Sequence, residues 1–237
     1  MTRFVPKNKL ITLVGHYGSG KSELAINLAL LFSVGTNNTV YLVDLDIVNP
    51  YFRSRERADF LCSEGIKVIA SAEEFPGVDL PYVPGEVAAV FQNKDAFGVI
   101  DAGGDPAGAR VLARYAEGIT EAGGDVFFVV NANRPQTKDA ESTIKYIQNI
   151  EGASGVRITG LINNTHLLNK TEIQDVLEGA RVAKEIAHKT GIPVVAHAID
   201  SELAEEASRA LRELAAASHE LEEPILPIEI YLTKPWE

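Results

Sequence analysis

The chain has 237 residues and a formal net charge of −11, and its 46% hydrophobic and 23% charged content is ordinary for a globular protein. The excess of acidic side chains disfavours nucleic acids and anionic lipids as partners, because contacts with phosphates need Lys or Arg. Cys62 is the only cysteine, which excludes an internal disulfide and a zinc or iron–sulfur site built from paired cysteines of one chain.

The first predicted elements are a buried strand at 10–14, a glycine-rich loop and a helix that begins near Gly20 and continues to Phe32. The loop has the form G-x-x-x-x-G-K-S, and its residues are Gly15, His16, Tyr17, Gly18, Ser19, Gly20, Lys21 and Ser22. A strand before this motif and a helix after it are the context in which it forms a phosphate-binding P-loop. A glycine-rich turn with a surface lysine is the alternative interpretation.

The residue types of this loop predict its chemistry. Glycines let consecutive backbone N–H groups point inward, and the following helix directs the positive end of its dipole to the same place. Lys21 is expected to contact the terminal phosphates of a nucleoside triphosphate, and the Ser22 hydroxyl to bind a bridging Mg²⁺.

Acidic residues follow the next two predicted strands, which lie at 39–43 and 97–100. Asp44 and Asp46 follow the first and, if extended, face the same side; one would orient the metal's water and the other position or deprotonate the attacking water. Asp101 follows the second strand, with Gly103 and Gly104 just beyond it. Because ligands of open parallel sheets bind beyond the carboxyl ends of the strands, we predict that Asp101 holds Mg²⁺ or one of its waters. The backbone N–H of Gly103 or Gly104 would contact a γ-phosphate, and turn or helix-capping aspartates are the alternative.

The rest of the chain continues the alternation of short apolar and longer amphipathic runs. Strands are predicted at 125–130, 158–162, 193–198 and 228–232, and helices at 84–93, 107–121, 138–150, 171–190 and 201–221. The segment 73–85, rich in proline and glycine, is expected to be irregular. This pattern is typical of a three-layer α/β/α fold with a mostly parallel sheet. No repeat or break in composition marks a boundary, so 1–237 is predicted to be a single nucleotide-binding domain.

Three segments, GHYGSGKS, VDLDIVNPYFRSRE and IDAGGD, occur in this order and together resemble the MinD/ParA group of P-loop ATPases. This group belongs to the SIMIBI class, with the CobQ/CobB/MinD/ParA nucleotide-binding domain, and the resemblance covers about residues 10–199. It implies that Lys21 and Ser22 hold the phosphates and Mg²⁺, and that Asp46 activates water. It further implies Asp44 as the acidic partner of Asp46, and Asp101 as the Walker B aspartate.

The same resemblance implies that Asn163 and Asn164, at the end of the fifth predicted strand, contact the purine ring, although two asparagines in a turn fit the pattern as well. ATP is expected in preference to GTP, because no N-K-x-D guanine motif follows that strand. Many members of the group carry a signature lysine at the second loop position, where this chain has His16. ATP-driven dimerisation is therefore not assumed, although Arg53, Arg55 or Arg134 of a neighbouring subunit would supply a cation.

We expect a Mg²⁺-dependent cytoplasmic ATPase whose hydrolysis switches association with an unidentified protein partner, for example in metalloenzyme assembly or activation. A homodimer is possible, binding of nucleic acid is not expected, and the acidic segment 201–223 gives no basic amphipathic membrane anchor. The alternative is an ATP-dependent phosphoryl transferase or ligase of the dethiobiotin-synthetase or cobyrinate-amidase kind, with 73–85 and Arg134 binding a small carboxylic acid. A nucleotide-sensing module with little turnover is the third hypothesis.

Overall fold

The computed structural model describes residues 2–34, 36–46, 54–70, 86–93 and 95–232, without the side chains of Arg55, Pro106 and Ala107. The strands in these ranges are β1 (Leu10–Val14), β2 (Val40–Asp44), β3 (Ile66–Ala70), β4 (Phe97–Asp101), β5 (Asp125–Val130), β6 (Gly160–Asn163), β7 (Val194–Asp200) and β8 (Ile225–Ile228). The helices are α1 (Lys21–Ser33), α2 (Ala58–Ser63), α3 (Glu86–Gln92), α4 (Pro106–Ala113), α5 (Ala116–Glu121), α6 (Ala140–Ser154), α7 (Ile173–Thr190) and α8 (Ala204–Ser218), and a 3-10 helix spans Ser54–Arg57.

These strands form one parallel sheet in the order β3-β2-β4-β1-β5-β6-β7-β8. Strand side chains alternate between its faces: Val126, Phe128 and Val130 of β5 enter one core, and Phe127 and Val129 enter the other. Helices α3 to α7 pack on the first face and α1 and α2 on the second, while α8 packs against α7 and the ends of β7 and β8. The predicted α/β fold with a parallel sheet between helical layers is confirmed.

The strand order sets the place of the candidate site. Strand β4 lies between β1 and β2, so that Leu13 pairs with Asp101 and Asp101 pairs with Asp44. The P-loop leaves β1 at the same edge and enters α1. The first two acidic strand ends and the phosphate loop therefore meet at one edge of the sheet.

Two edge strands differ from the sequence-based expectation. Strand β3 was not predicted; it is short and pairs only with β2 at one edge of the sheet. The last strand lies at Ile225–Ile228 and not at 228–232. Its Pro227 has no backbone N–H to donate, which an edge strand tolerates. The prediction for 228–232 was therefore wrong by about one strand length.

The helix predicted at 107–121 is two helices, α4 and α5. Between them Tyr115 has φ of −113° and ψ of 0°, which is outside the helical region. The segment 73–85, which was expected to be irregular, lies outside the described residues. The helix predicted at 84–93 is described only from Glu86, as α3. Within the described ranges, every helix is too short or too polar to cross a bilayer.

Candidate functional site

The P-loop has the tight turn that its glycines require. Gly20, the N-cap of α1, has φ of 86° and ψ of 20°, a left-handed conformation that glycine adopts without strain. A Cβ at this position would lie 2.3 Å from Nδ2 of Asn164, and that amide donates to the Ser19 carbonyl at 2.8 Å. The Ser19 N–H in turn donates to the His16 carbonyl at 3.1 Å. The loop is thus held both by its own backbone and by the residue that follows β6.

Lys21 is buried in the first turn of α1, and its Nζ donates to the His16 carbonyl at 3.3 Å. Burial lowers the pKa of Lys21, while the charges of Asp101, Asp46 and Asp105 raise it. One cation therefore lies over the loop and among carboxylates, which is the position expected of a phosphate-binding lysine. Ser22 is the next residue of the same turn.

The three predicted carboxylates lie together beside this lysine. Asp44 and Asp101 are fully buried and directly paired on neighbouring strands. Asp46 is also buried, and its N–H donates to Oδ1 of Asp44 at 3.1 Å. The Leu45 N–H donates to the backbone carbonyl of Asp101 at 2.9 Å, which joins the ends of β2 and β4. The arrangement is a compact acidic cluster facing one ammonium group and one serine hydroxyl.

Asp101 is the most strongly perturbed of these groups. Burial and then the neighbouring Asp44 charge raise its pKa to about 7, against the opposing effects of Lys21 and the nearby Ser22 hydroxyl, and Asp46 adds to the rise. The Ser22 hydroxyl lies close enough to act on the Asp101 carboxylate, and among the described residues neither carboxylate oxygen has a hydrogen bond of ordinary geometry. A buried carboxylate with so few donors is unfavourable by itself and is stabilised when a cation binds.

These residues fit a magnesium ion. Mg²⁺ prefers oxygen ligands, keeps several waters, and is usually bound by one or two protein oxygens together with substrate phosphates. Asp101, Asp44 and the Ser22 hydroxyl supply such oxygens beside the phosphate loop. No group of three or more His, Cys, Asp or Glu side chains in the described ranges has the geometry of a self-sufficient metal site. A metal held jointly by protein and phosphate is consistent with both observations.

The raised pKa of Asp101 gives a first testable prediction, for Asp101→Asn in the absence of nucleotide and metal. Because the pKa in the folded state, about 7, exceeds the ordinary 3.8, ionisation of Asp101 reduces stability progressively from about pH 4 to about pH 7. The neutral asparagine removes this effect. We expect the variant to be more stable than the wild type at pH 8, by up to about 4 kcal/mol, with the difference vanishing near pH 4. Urea unfolding at several pH values measures it, and a pH-independent difference would contradict the assignment.

A cavity of about 330 Å³ extends from the P-loop toward β7 and the residues that follow β8. Its polar end is lined by Gly18, Gly20, Lys21, Ser22 and Asp46. Its other end is mostly apolar and is lined by Leu168, Val176, Ala198, Ile199, Ile228, Ile230 and Leu232. A cavity with a lysine and glycine-rich loop at one end and apolar side chains at the other has the polarity that the two ends of a nucleotide would require.

Residues 229–232, which follow β8 and are called the wall segment, line the apolar end of the cavity through Ile230 and Leu232. The half-buried Glu23 carboxylate, one residue beyond Ser22, accepts hydrogen bonds from the N–H groups of Tyr231 and Leu232. The Arg57 guanidinium donates to the Tyr231 carbonyl, and Phe60 stacks on the Tyr231 ring with centroids 5.4 Å apart. This wall is therefore attached both to α1 and to the elements that follow Asp46.

The two predicted asparagines have different surroundings. Asn164 lines the cavity and supports Ser19 of the P-loop. Asn163 is buried away from the cavity lining: its amide donates to the Val176 carbonyl at 3.3 Å, and its carbonyl accepts from the Thr165 hydroxyl at 2.8 Å. A contact between Asn163 and a purine stays a prediction, whereas Asn164 is the member of the pair that lies at the cavity.

Arg134 and His166 border the P-loop from the next loops of the sheet. The Arg134 Nε donates to the Gly18 carbonyl at 2.8 Å. His166 accepts from the Leu168 N–H at Nδ1 and lines the cavity near Gly20. Burial, and secondarily Arg134, lower the pKa of His166 to about 4, so the ring is neutral at physiological pH.

The residues at the second and third loop positions point in different directions. The Nδ1 of His16 lies 2.6 Å from the Tyr17 carbonyl, and its ring contacts Tyr146, whereas Tyr17 is 56% exposed at the cavity mouth. Gly104 lies directly against the P-loop, since a Cβ there would be 1.6 Å from the Gly15 carbonyl oxygen. The backbone of Gly104 is thus packed against the start of the P-loop.

Sequence reasoning missed Tyr146, Glu23 and the segment after β8. Tyr146 lies inside an amphipathic helix and has no motif around it, so no sequence signal marks it. An acidic residue directly after the P-loop serine is only a weak sequence signal for Glu23. The predicted cations Arg53 and Arg55 lie outside the residues or side chains that the structure describes.

The sequence matches no protein-family model and no curated protein. Solved structures with the same fold include cell division protein FtsY from Thermotoga maritima, with 23% identity, a TM-score of 0.56 and coverage of 83% of this chain and 64% of that chain. The signal recognition particle receptor FtsY from Elizabethkingia anophelis, in complex with GDP, has 16% identity, a TM-score of 0.51 and coverage of 82% and 58%. Chloroplast FtsY from Physcomitrella patens has 16% identity, a TM-score of 0.51 and coverage of 81% and 58%.

These similarities show the fold, an α/β P-loop NTPase fold. The chain spans about 60% of the length of these proteins, as coverage of 64%, 58% and 58% indicates. Membership of the MinD/ParA group stays a prediction of the sequence.

Proposed function

We propose that the protein is a Mg²⁺-dependent nucleoside triphosphatase of the SIMIBI class, with ATP as its substrate, and that it is a member of the MinD/ParA group. The observation that supports this most directly is the cluster of Lys21, Ser22, Asp44, Asp46 and Asp101 around one P-loop. A buried acidic cluster beside a lysine has little structural benefit by itself, since it sets like charges side by side. It is useful when a metal and a polyphosphate bind there.

Each residue of the cluster has a distinct part in the proposed reaction. The loop amides and Lys21 bind the β- and γ-phosphates and neutralise charge as the terminal bond breaks. Ser22, Asp44 and Asp101 hold Mg²⁺, which when bound adds electrostatic stabilisation of the transferred phosphoryl group. Asp46 accepts a hydrogen bond from the attacking water and orients it in line with the leaving oxygen. The Gly104 backbone contacts the γ-phosphate.

The apolar end of the cavity is proposed to take the purine and ribose. Leu168, Val176 and Ile230 offer apolar surface to a ring, and Asn164, which lines the same cavity and donates to Ser19 of the P-loop, is proposed to contact it. ATP is favoured over GTP because the loop after β6 lacks an N-K-x-D sequence. Guanine nucleotide is the competitor to be tested, since one structure of the same fold contains GDP.

We propose that hydrolysis changes the affinity for a protein partner, and that this partner can be a second copy of the same chain. We expect the γ-phosphate to order the segments 44–57 and 101–110 and hydrolysis to release them, although residues 47–53 of the first lie outside the described residues. Tyr231 of the wall segment accepts a hydrogen bond from Arg57, the last residue of the first of these segments, and stacks on Phe60 just beyond it. A cytoplasmic setting and a single domain are predictions of the sequence.

Hydrolysis by the purified protein tests the proposed function. We expect slow release of phosphate from ATP, faster than from GTP, that is lost when EDTA removes Mg²⁺. The rate of phosphate release, measured over a range of ATP concentrations and of GTP concentrations, gives both the turnover and the preference. Faster turnover of GTP would overturn the base preference alone. Turnover only after a small carboxylic acid is added would favour the transferase, and tight binding without any turnover would favour the sensing module.

The transferase alternative has less support from the site. Its proposed acid-binding segment 73–85 lies outside the described residues, and the Nε of Arg134 is hydrogen-bonded to the P-loop carbonyl of Gly18. Arg134 is thereby part of the loop's support. The structure offers no second set of groups around it that favours a small acid, among the residues described.

A further inference from the structure

Tyr146 connects two loops of the candidate site. It extends from α6, and its hydroxyl donates a hydrogen bond to the Gly104 carbonyl at 2.6 Å. Its ring packs edge-on against His16 of the P-loop, with centroids 5.3 Å apart and planes at 72°. A single side chain therefore contacts both the phosphate loop and the loop that follows β4.

The position of Tyr146 is set by rigid parts of the fold. Its ring also packs on the fully buried Phe128 of β5, with centroids 6.2 Å apart. Helix α6 is capped at its start by Asp139, whose carboxylate accepts from the Ser142 N–H at 2.8 Å, and it ends at Gly155 in a left-handed conformation. A helix fixed at both ends holds the hydroxyl more accurately than a loop would.

Both aromatic partners are neutral near pH 7. Burial, and secondarily the charge of Asp105, raise the pKa of Tyr146, so its hydroxyl remains a donor. Burial and the charges of Lys21 and Arg134 lower the pKa of His16, against the effect of the Tyr17 carbonyl. The contact between them thus adds no charge to a site already crowded with carboxylates.

Gly104 needs such support because it has no side chain of its own to fix its backbone. Its Cα lies so close to Gly15 that a Cβ would be 1.6 Å from the Gly15 carbonyl oxygen. The next residue, Asp105, caps α4 by accepting from the Gly108 N–H at 2.7 Å. Tyr146 and this cap thus hold two consecutive residues of the short connection from β4 to α4.

We propose that Tyr146 is a positioning residue that holds Gly104 against the P-loop, where its backbone meets the terminal phosphate of a nucleoside triphosphate. The inference rests on the proposed function. A diphosphate lacks the phosphate that Gly104 contacts, so Tyr146 contributes to triphosphate affinity and to hydrolysis and has no effect on diphosphate affinity.

The test compares Tyr146→Phe with Tyr115→Phe, which removes a hydroxyl from another partly buried tyrosine, packed on Phe91 with centroids 6.0 Å apart. Titration calorimetry measures the affinities of MgADP and of a Mg²⁺-bound non-hydrolysable ATP analogue, or of the guanine pair if GTP is preferred. For Tyr146→Phe we expect about fivefold weaker binding of the analogue, an equal or larger fall in kcat, and unchanged ADP affinity. Tyr115→Phe should match the wild type in all three.

Equal affinities of Tyr146→Phe and the wild type for the analogue would overturn the inference, and so would an equal loss for ADP and the analogue, which marks general damage to the fold. Either result leaves the proposed function intact, because the wild type still binds and hydrolyses nucleotide. A wild-type protein that binds neither nucleotide would overturn the proposed function, and this inference with it.

Discussion

Lys21→Ala is expected to weaken triphosphate binding by at least about 100-fold. The Nζ of Lys21 is the cation at the centre of the loop, and burial has already removed most of its contact with water. Its charge therefore acts on phosphates at short range and with little screening, so that its loss costs about 3 kcal/mol of binding. Titration calorimetry with Mg²⁺ and ATP measures the change.

Lys189→Ala is the matched control for this experiment. It removes the same charge from the exposed face of α7, where Lys189 pairs with Glu185 at 2.6 Å, and should leave binding unchanged. Loss of Lys21 also leaves Asp44, Asp46 and Asp101 without their neighbouring ammonium group, so thermal unfolding of each variant is needed to separate misfolding from lost affinity. A folded Lys21→Ala protein with wild-type affinity would exclude the P-loop as the binding site.

The local motif and the fold class were readable from sequence because each depends on short-range patterns. Strand, glycine loop and helix succeed one another within 10–33, and apolar runs such as Asp125–Val130 are buried on both faces, which suppresses alternation. The edge strands were harder to predict from the sequence. Strand β8 contains Pro227, which is a signal against a strand in the centre of a sheet and is tolerated at the edge, where β8 lies.

The pairing of Asp44 with Asp101 required the strand order. The sequence indicates that both carboxylates end strands, and parallel strands place their carboxyl ends at one edge, yet it does not say which strands are neighbours. That β4 lies between β1 and β2 follows from long crossover connections. The contacts of Tyr146 and of the segment after β8 were also not predictable, because they join residues far apart in the sequence. Tyr146 and Gly104 are separated by 42 residues, and Glu23 and Tyr231 by 208.

Asp46→Asn is expected to reduce kcat by about 100-fold or more while leaving the affinity for Mg²⁺ and ATP unchanged or slightly higher. Asparagine keeps the size of the side chain and loses the carboxylate that would orient and polarise the attacking water. Because Asp46 lies among Asp44 and Asp101, removing its charge also lowers repulsion toward a bound triphosphate. Phosphate release and calorimetry on the same preparation give the two quantities.

Asp125→Asn provides the control, because it neutralises an aspartate at the amino end of β5, where the Asn8 amide donates to its carboxylate at 3.0 Å, at the opposite edge of the sheet. Equal hydrolysis by Asp46→Asn and Asp125→Asn would remove Asp46 from the reaction. A fall in kcat and binding together would instead assign Asp46 to the support of Asp44, whose Oδ1 its N–H already contacts. Only a fall in kcat alone fits a residue that acts on water, since binding then still depends on the loop, Lys21 and the metal ligands.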